Sequence, residues 1–143
     1  MKVVGFNLYK VSADKKKDAK PQLNLEISTN IKFNDIKEEK VDIFKDKEVL
    51  LFDFEFSVEY KKDFATILFR GEVAALFEEK NKGKEIIKQW KNKKISDDIQ
   101  IPLFNLIIEK CSLQALQIEE QLAMPKHIPF PSLRKQQAAN YTG

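Results

Sequence analysis

The stretch Val49–Phe77, VLLFDFEFSVEYKKDFATILFRGEVAALF, decides the fold. Leu50, Phe52, Phe54, Phe56, Val58 and Tyr60 occupy alternate positions, with Asp53, Glu55, Ser57 and Glu59 between them. Successive side chains of a strand point to opposite faces, so one face is apolar and the other polar. Lys61, Lys62 and Asp63 make a short polar connection. Beyond it Ala65, Ile67, Phe69, Val73, Ala75 and Phe77 fall together, opposite Thr66, Arg70 and Glu72. The two halves read as an antiparallel hairpin with a phenylalanine-rich face. Glu55 or Glu59 would face Arg70 across it, a pair contributing about 0.2–1 kcal/mol. Gly71 inside the second strand signals a bulge or bend. At roughly 25 cal/mol per Å2 of buried apolar area, such a face is too costly to leave in water.

Upstream, Val3 to Val11 is β-branched and aromatic, a further strand. Ser12 to Pro21 (SADKKKDAKP) is a charged loop closed by proline. Leu23, Leu25, Ile27, Thr29, Ile31 and Phe33 alternate with polar residues, a period-two signal for another strand. Asn34 to Lys47, charged but holding Val41, Ile43 and Phe44, is a loop or a short irregular strand.

Downstream, Gly83 to Asn92 places Ile86, Ile87 and Trp90 at helical spacing. Ser96, Asp97 and Asp98 offer capping side chains, and Pro102 suits a first helical turn. From Leu103 the pattern LFNLIIEKCSLQALQIEEQLAM is apolar far beyond the stripe of about 100° that covers one sheet face. Burial on two sides is expected, the second side being another copy of the chain. Leu103, Phe104, Leu106, Ile107, Cys111 and Leu113 are the candidate interface. Pro125, Pro129 and Pro131 end the helix and make an extended arm. The expected fold is α+β, a four-stranded antiparallel sheet followed by C-terminal helices packed on one face. Residues 1–131 form one domain and 132–143 a mobile tail.

Composition excludes several function classes. The chain has 143 residues, 43% of them hydrophobic, and a net charge of +3. Its cations are lysines except Arg70 and Arg134, and they alternate with acids (KKKDAK, DIKEEK, FEEKNKGKE). Nucleic-acid recognition leans on arginine forks, so no nucleic-acid partner is expected. No apolar run reaches the roughly 20 residues of a membrane span, and MKVVGFNLYK lacks a secretory pattern. A single cysteine, Cys111, rules out an internal disulfide, and a cytoplasmic protein is the reading.

Catalytic constellations fail in turn. His127, the single histidine, sits in HIPFP and reads as an exposed or packed arm residue rather than a general base. Cys111 lies on the apolar helix, where a free thiol behaves as a small hydrophobe. No CxxC, HExxH or DxDxDG spacing occurs, and Gly5, Gly71, Gly83 and Gly143 form no phosphate loop. Helix capping accounts for Asp97 and Asp98. Neither an enzyme, a metal nor a cofactor is expected.

Four antiparallel strands followed by C-terminal helices resemble the SecB protein-export chaperone family, over about residues 3–131. Glu72, Val73 and Phe77 stand where the family's last strand carries a glutamate-valine region ending near a phenylalanine, with shorter spacing to Phe77. In LFNLIIE, Leu103, Phe104 and Glu109 match the opening of the family's main helix. Asn105 to Ile108 replace its Pro-Tyr-Ala-Arg, and Met124-Pro125 is the nearest counterpart of its Gly-Gly-Phe-Pro. The resemblance implies an ATP-independent holdase that binds unfolded polypeptides through apolar grooves and assembles as a dimer or tetramer. Bacterial members use strong acidity to dock on the SecA motor, and the basic charge of this chain argues against that docking. Phe54, Phe56 and Val58, with Leu25 and Ile27 on a neighbouring strand, are the candidate client-binding residues; the competing reading makes all five ordinary core. The alternative function is a partner-specific adaptor or structural oligomer, for example one associated with a toxin–antitoxin pair.

Overall fold

The computed structural model describes residues 1–18, 25–40, 43 and 46–133. Strands β1 (Lys2–Lys15), β2 (Ile27–Glu39), β3 (Glu48–Tyr60) and β4 (Ala65–Phe77) precede helices α1 (Lys82–Trp90) and α2 (Asp97–Gln121). The strands form one antiparallel sheet in the order β1-β4-β3-β2. The hairpin is therefore the centre of the sheet. Phe52 pairs with Val73, Phe54 with Gly71 and Phe56 with Phe69. Its connection turns through left-handed backbone at Lys62 (φ 62°) and Asp63 (φ 55°).

Both outer strands run further than their alternation suggests, because bulges reset the phase. β2 begins at Ile27 and continues to Glu39, through the segment read as a loop or short irregular strand. Its register shifts between Phe33 and Asp35, so Ile36, not Asp35, takes the next inward position. Leu23, Val41 and Phe44 lie outside the described residues, as does 134–143. β1 runs on to Lys15, with shifts between Val3 and Gly5 and between Leu8 and Lys10. Gly71 carries no bulge; the irregularity lies on its partner strand, just past Leu8.

α1 and α2 lie on the inner face. α2 starts at Asp97, behind Ser96 at the N-cap position, so Pro102 lies inside the helix rather than in its first turn. The Ser96 side chain makes no cap bond, while Asp97 and Asp98 sit in the first turn, where the helix dipole favours acids. The buried residues Ile99, Leu103, Ile107, Cys111, Ala115 and Glu119 recur every fourth position. Four residues overshoot a 3.6-residue turn by about 40°, so this stripe winds round the helix. The winding explains much of the breadth of the apolar pattern without a second covering surface. No helix among the described residues is long and apolar enough to cross a membrane.

Candidate functional site

The candidate client residues do not form an open face. Phe54, Phe56 and Val58 are 0% exposed, sealed between the sheet and α2 with Leu103 and Ile107. Leu25 and Ile27 are half-buried and pack against the rim of the same core. The hairpin face is ordinary core because α1, α2 and the arm after it together cover it.

The candidate interface divides in the same way. Leu103, Ile107 and Cys111 belong to the stripe that meets the sheet and are fully buried. They are not available to a second subunit. Burial pushes the Cys111 thiol up to about 12. Phe104 is half-buried with its ring 4.8 Å from that of Phe33, and Leu106 is half-buried too. Leu113 alone of the six stands out, 61% exposed, joined by Ile101 and Ile108.

Among the described residues, what stays open is the inner face of β1. α2 packs chiefly on β3 and β4, leaving Phe6 and Leu8 half-buried and Val3 and Val11 exposed, the latter at 52%. The Phe6 ring lies 5.5 Å from Phe54, continuous with the core, and the Lys110 ammonium stands 5.5 Å from its centroid. Leu106 and Leu113 lie one turn either side of Lys110 on the same flank of α2. Lys110 thus stands at the margin of this open face, over Phe6. Sequence reasoning found this strand but not its face, since the two bulges break the alternation.

The opposite face of the sheet is polar. The residue β1 inserts at its second bulge, Tyr9, donates to Asp53 Oδ2 at 2.7 Å; the one β2 inserts, Asn34, donates to Oδ1 at 3.4 Å. The bond to Asp53 pushes the Tyr9 hydroxyl up to about 12. Arg70 Nε donates to Glu55 at 3.0 Å, the cross-hairpin pair expected from the sequence, and Lys32 Nζ stands 3.5 Å from the same carboxylate.

A second cluster lies buried at the far end of α2. His127 Nδ1 is 2.9 Å from Glu119 and Nε2 is 3.1 Å from Ser112 Oγ. Tyr60 donates to Glu119 Oε2 at 2.6 Å, and burial, then this bond, pushes its hydroxyl well above its ordinary value. Serine, histidine and acid stand in the order of a hydrolytic triad. The cluster nonetheless lacks a way in: the Glu119 side chain is 0% exposed and that of His127 2%. The arm that supplies His127 is also the cover over Ser112, so uncovering the hydroxyl removes its base. The geometry serves to fasten the arm to the helix. His127 is thus the packed arm histidine of the sequence reading, whereas Ser112 and Glu119 carried no signal in any spacing.

No family model matches the sequence, and no curated protein matches it. Among solved structures, one that the chain resembles is the Mycobacterium tuberculosis Rv1957 SecB-like chaperone in complex with a ChAD peptide from the Rv1956 HigA1 antitoxin. The likeness covers 93% of this chain and 91% of that one, at 13% identity and a TM-score of 0.49.

Proposed function

We propose that the chain is a non-catalytic polypeptide-binding protein, an ATP-independent holdase that takes unfolded segments along the open face and edge of β1. The observation that carries this reading is the inner face of β1, uncovered among the described residues, where Val3 and Val11 stand in solvent beside an edge that β4 pairs on one side only. An unpaired strand edge offers main-chain hydrogen bonds to any extended sequence, and an apolar floor accepts varied side chains. We further propose a homo-oligomer, dimer or tetramer, joined through the outward residues of α2: Ile101, Ile108 and Leu113.

A partner-specific adaptor is the second reading. Lys110 over Phe6 favours it, since a cation beside an apolar face selects partners that bring an acidic group. The test is suppression of aggregation of a denatured model protein, without ATP, by wild type and Val11→Asp. The expected result is suppression by wild type and its loss in a variant that keeps fold and assembly. A wild type that suppresses nothing ends the holdase reading and leaves the adaptor.

A further inference from the structure

The helix α2 ends on a carboxylate taken wholly out of water. Burying an unpaired charge is costly, so the groups that meet Glu119 must be accounted for. The Tyr60 hydroxyl lies 2.6 Å from Oε2, the His127 N–H donates at 3.1 Å, and His127 Nδ1 is 2.9 Å from both oxygens. Two of these three donors belong to one short segment, residues 123–133.

That segment is fastened at few points. Its first residues close the helix: Ala123 turns left-handed (φ 52°), and the N–H of Met124 returns to the Glu119 carbonyl at 2.8 Å. Among the described residues, its main chain is then held at the His127 N–H, with the Pro125 carbonyl 2.6 Å from a Tyr60 hydroxyl whose one proton Glu119 also claims, and the exposed Lys126 side chain pairs with Glu120 at 2.8 Å. Met124 enters the core, and the His127 ring stands edge-on to Phe56 at 6.5 Å. Beyond His127 the grip ends: Ile128, Phe130 and Leu133 are exposed. Pro125, Pro129 and Pro131 keep the segment extended and out of any ladder. Segments with few buried contacts and few backbone bonds open at low free energy, and those that share one anchor open together.

We infer that residues 123–133 are a strap that opens as a unit, and that the cleft beneath it, floored by Phe56 and Tyr60 and walled by Ser112 and Glu119, binds an extended, proline-containing apolar peptide that brings a donor to Glu119. The strap itself is the argument for that occupant. It is such a peptide, already seated, and any competitor must match its chemistry. The role of the cleft in holding clients rests on the polypeptide-binding reading; the opening of the strap does not. Because the tethered strap competes at high effective concentration, a free peptide binds the wild type far more weakly than a chain whose strap has lost its clasp.

The test uses the full chain and a labelled synthetic peptide, MPKHIPFPSL, the sequence of residues 124–133. Fluorescence anisotropy is expected to give at least tenfold tighter binding to His127→Ala than to wild type, lost again in His127→Ala combined with Glu119→Leu. If His127→Ala unfolds, the wild type still decides. In isotope-labelled wild type the single histidine gives one set of ring resonances, filtered from those of the peptide's own histidine, and this set should move to solvent-exposed positions as unlabelled peptide is added in excess. Equal affinities in wild type and variant, or ring resonances that stay put at millimolar peptide, overturn the strap. Peptide binding to His127→Ala with no suppression of aggregation keeps the strap and removes the holdase; suppression without peptide binding does the reverse.

Discussion

Gly71 stands directly opposite Phe54 in the β3–β4 ladder, and the Phe54 ring lies over the place where a side chain at 71 would begin. A Cβ there would sit 2.7 Å from Phe54 Cζ and 2.5 Å from the Asn7 carbonyl oxygen on β1. The glycine leaves room for the Phe54 ring beside its neighbour. Gly71→Ala should therefore cost about 1–3 kcal/mol, as overpacking does, read from the urea midpoint. Adding Phe54→Leu should not restore stability, because the tighter clash is with main chain. Full rescue by Phe54→Leu would show that the ring alone decides.

Ala123 closes α2 in a left-handed conformation that glycine adopts without a Cβ penalty. Ala123→Gly should raise stability by about 0.5–1 kcal/mol, visible as a higher unfolding midpoint with an unchanged slope. A loss of stability would place the greater cost in the unfolded chain.

Cys111 is buried and its thiol pushed up to about 12. In the folded protein at pH 8 it should react with dithionitrobenzoate only as fast as the chain unfolds, and at full rate in denaturant. The linkage has a definite sign. The folded form holds the proton more tightly, so stability falls as pH rises from the unfolded value near about 8.5 toward 12. Rapid labelling of native protein would contradict the packing of α2 on the sheet.

Partial burial pushes the Glu55 carboxyl up, but hydrogen bonds from Arg70 and Lys32, with their charges, outweigh this and hold it below its ordinary value. A lowered folded pKa gives stability above the unfolded value of about 4.3 that is lost as pH falls through the folded one. Arg70→Ala should thus destabilise near pH 7 and make less difference at a pH low enough to protonate Glu55 in the folded chain, measured by urea unfolding at both. An effect of equal size at the two pH values would assign Arg70 a packing role instead.

Two leucines of α2 should separate assembly from stability. Leu113→Asp, at an exposed position, should leave the melting temperature of the subunit nearly unchanged and yield monomers by light scattering. Leu103→Ala, fully buried, should cost about 2–5 kcal/mol through the cavity it leaves. A wild type that is already monomeric across micromolar concentrations sinks the proposed oligomer.

The alternation from Leu50 to Tyr60 and from Ala65 to Phe77 was enough to read the hairpin, and four strands before two helices were enough for the α+β class. Period two and period 3.6 are properties of the backbone itself, so they are written locally and survive without knowledge of neighbours. Where a bulge at Asn34 or Tyr9 inserts one residue, that local code loses its phase, and the extent of β2 and the inward face of β1 become unreadable. Coverage is a different kind of fact. Phe56 and Val11 are both apolar strand residues, yet one is sealed and the other half in water, because α2 packs chiefly on β3 and β4. The meeting of Glu119 with His127 is likewise invisible in a spacing of eight residues. It arises only when the chain turns back at Ala123 and lays the arm against the helix it has just left, where removal from water makes one carboxylate gather every donor within reach.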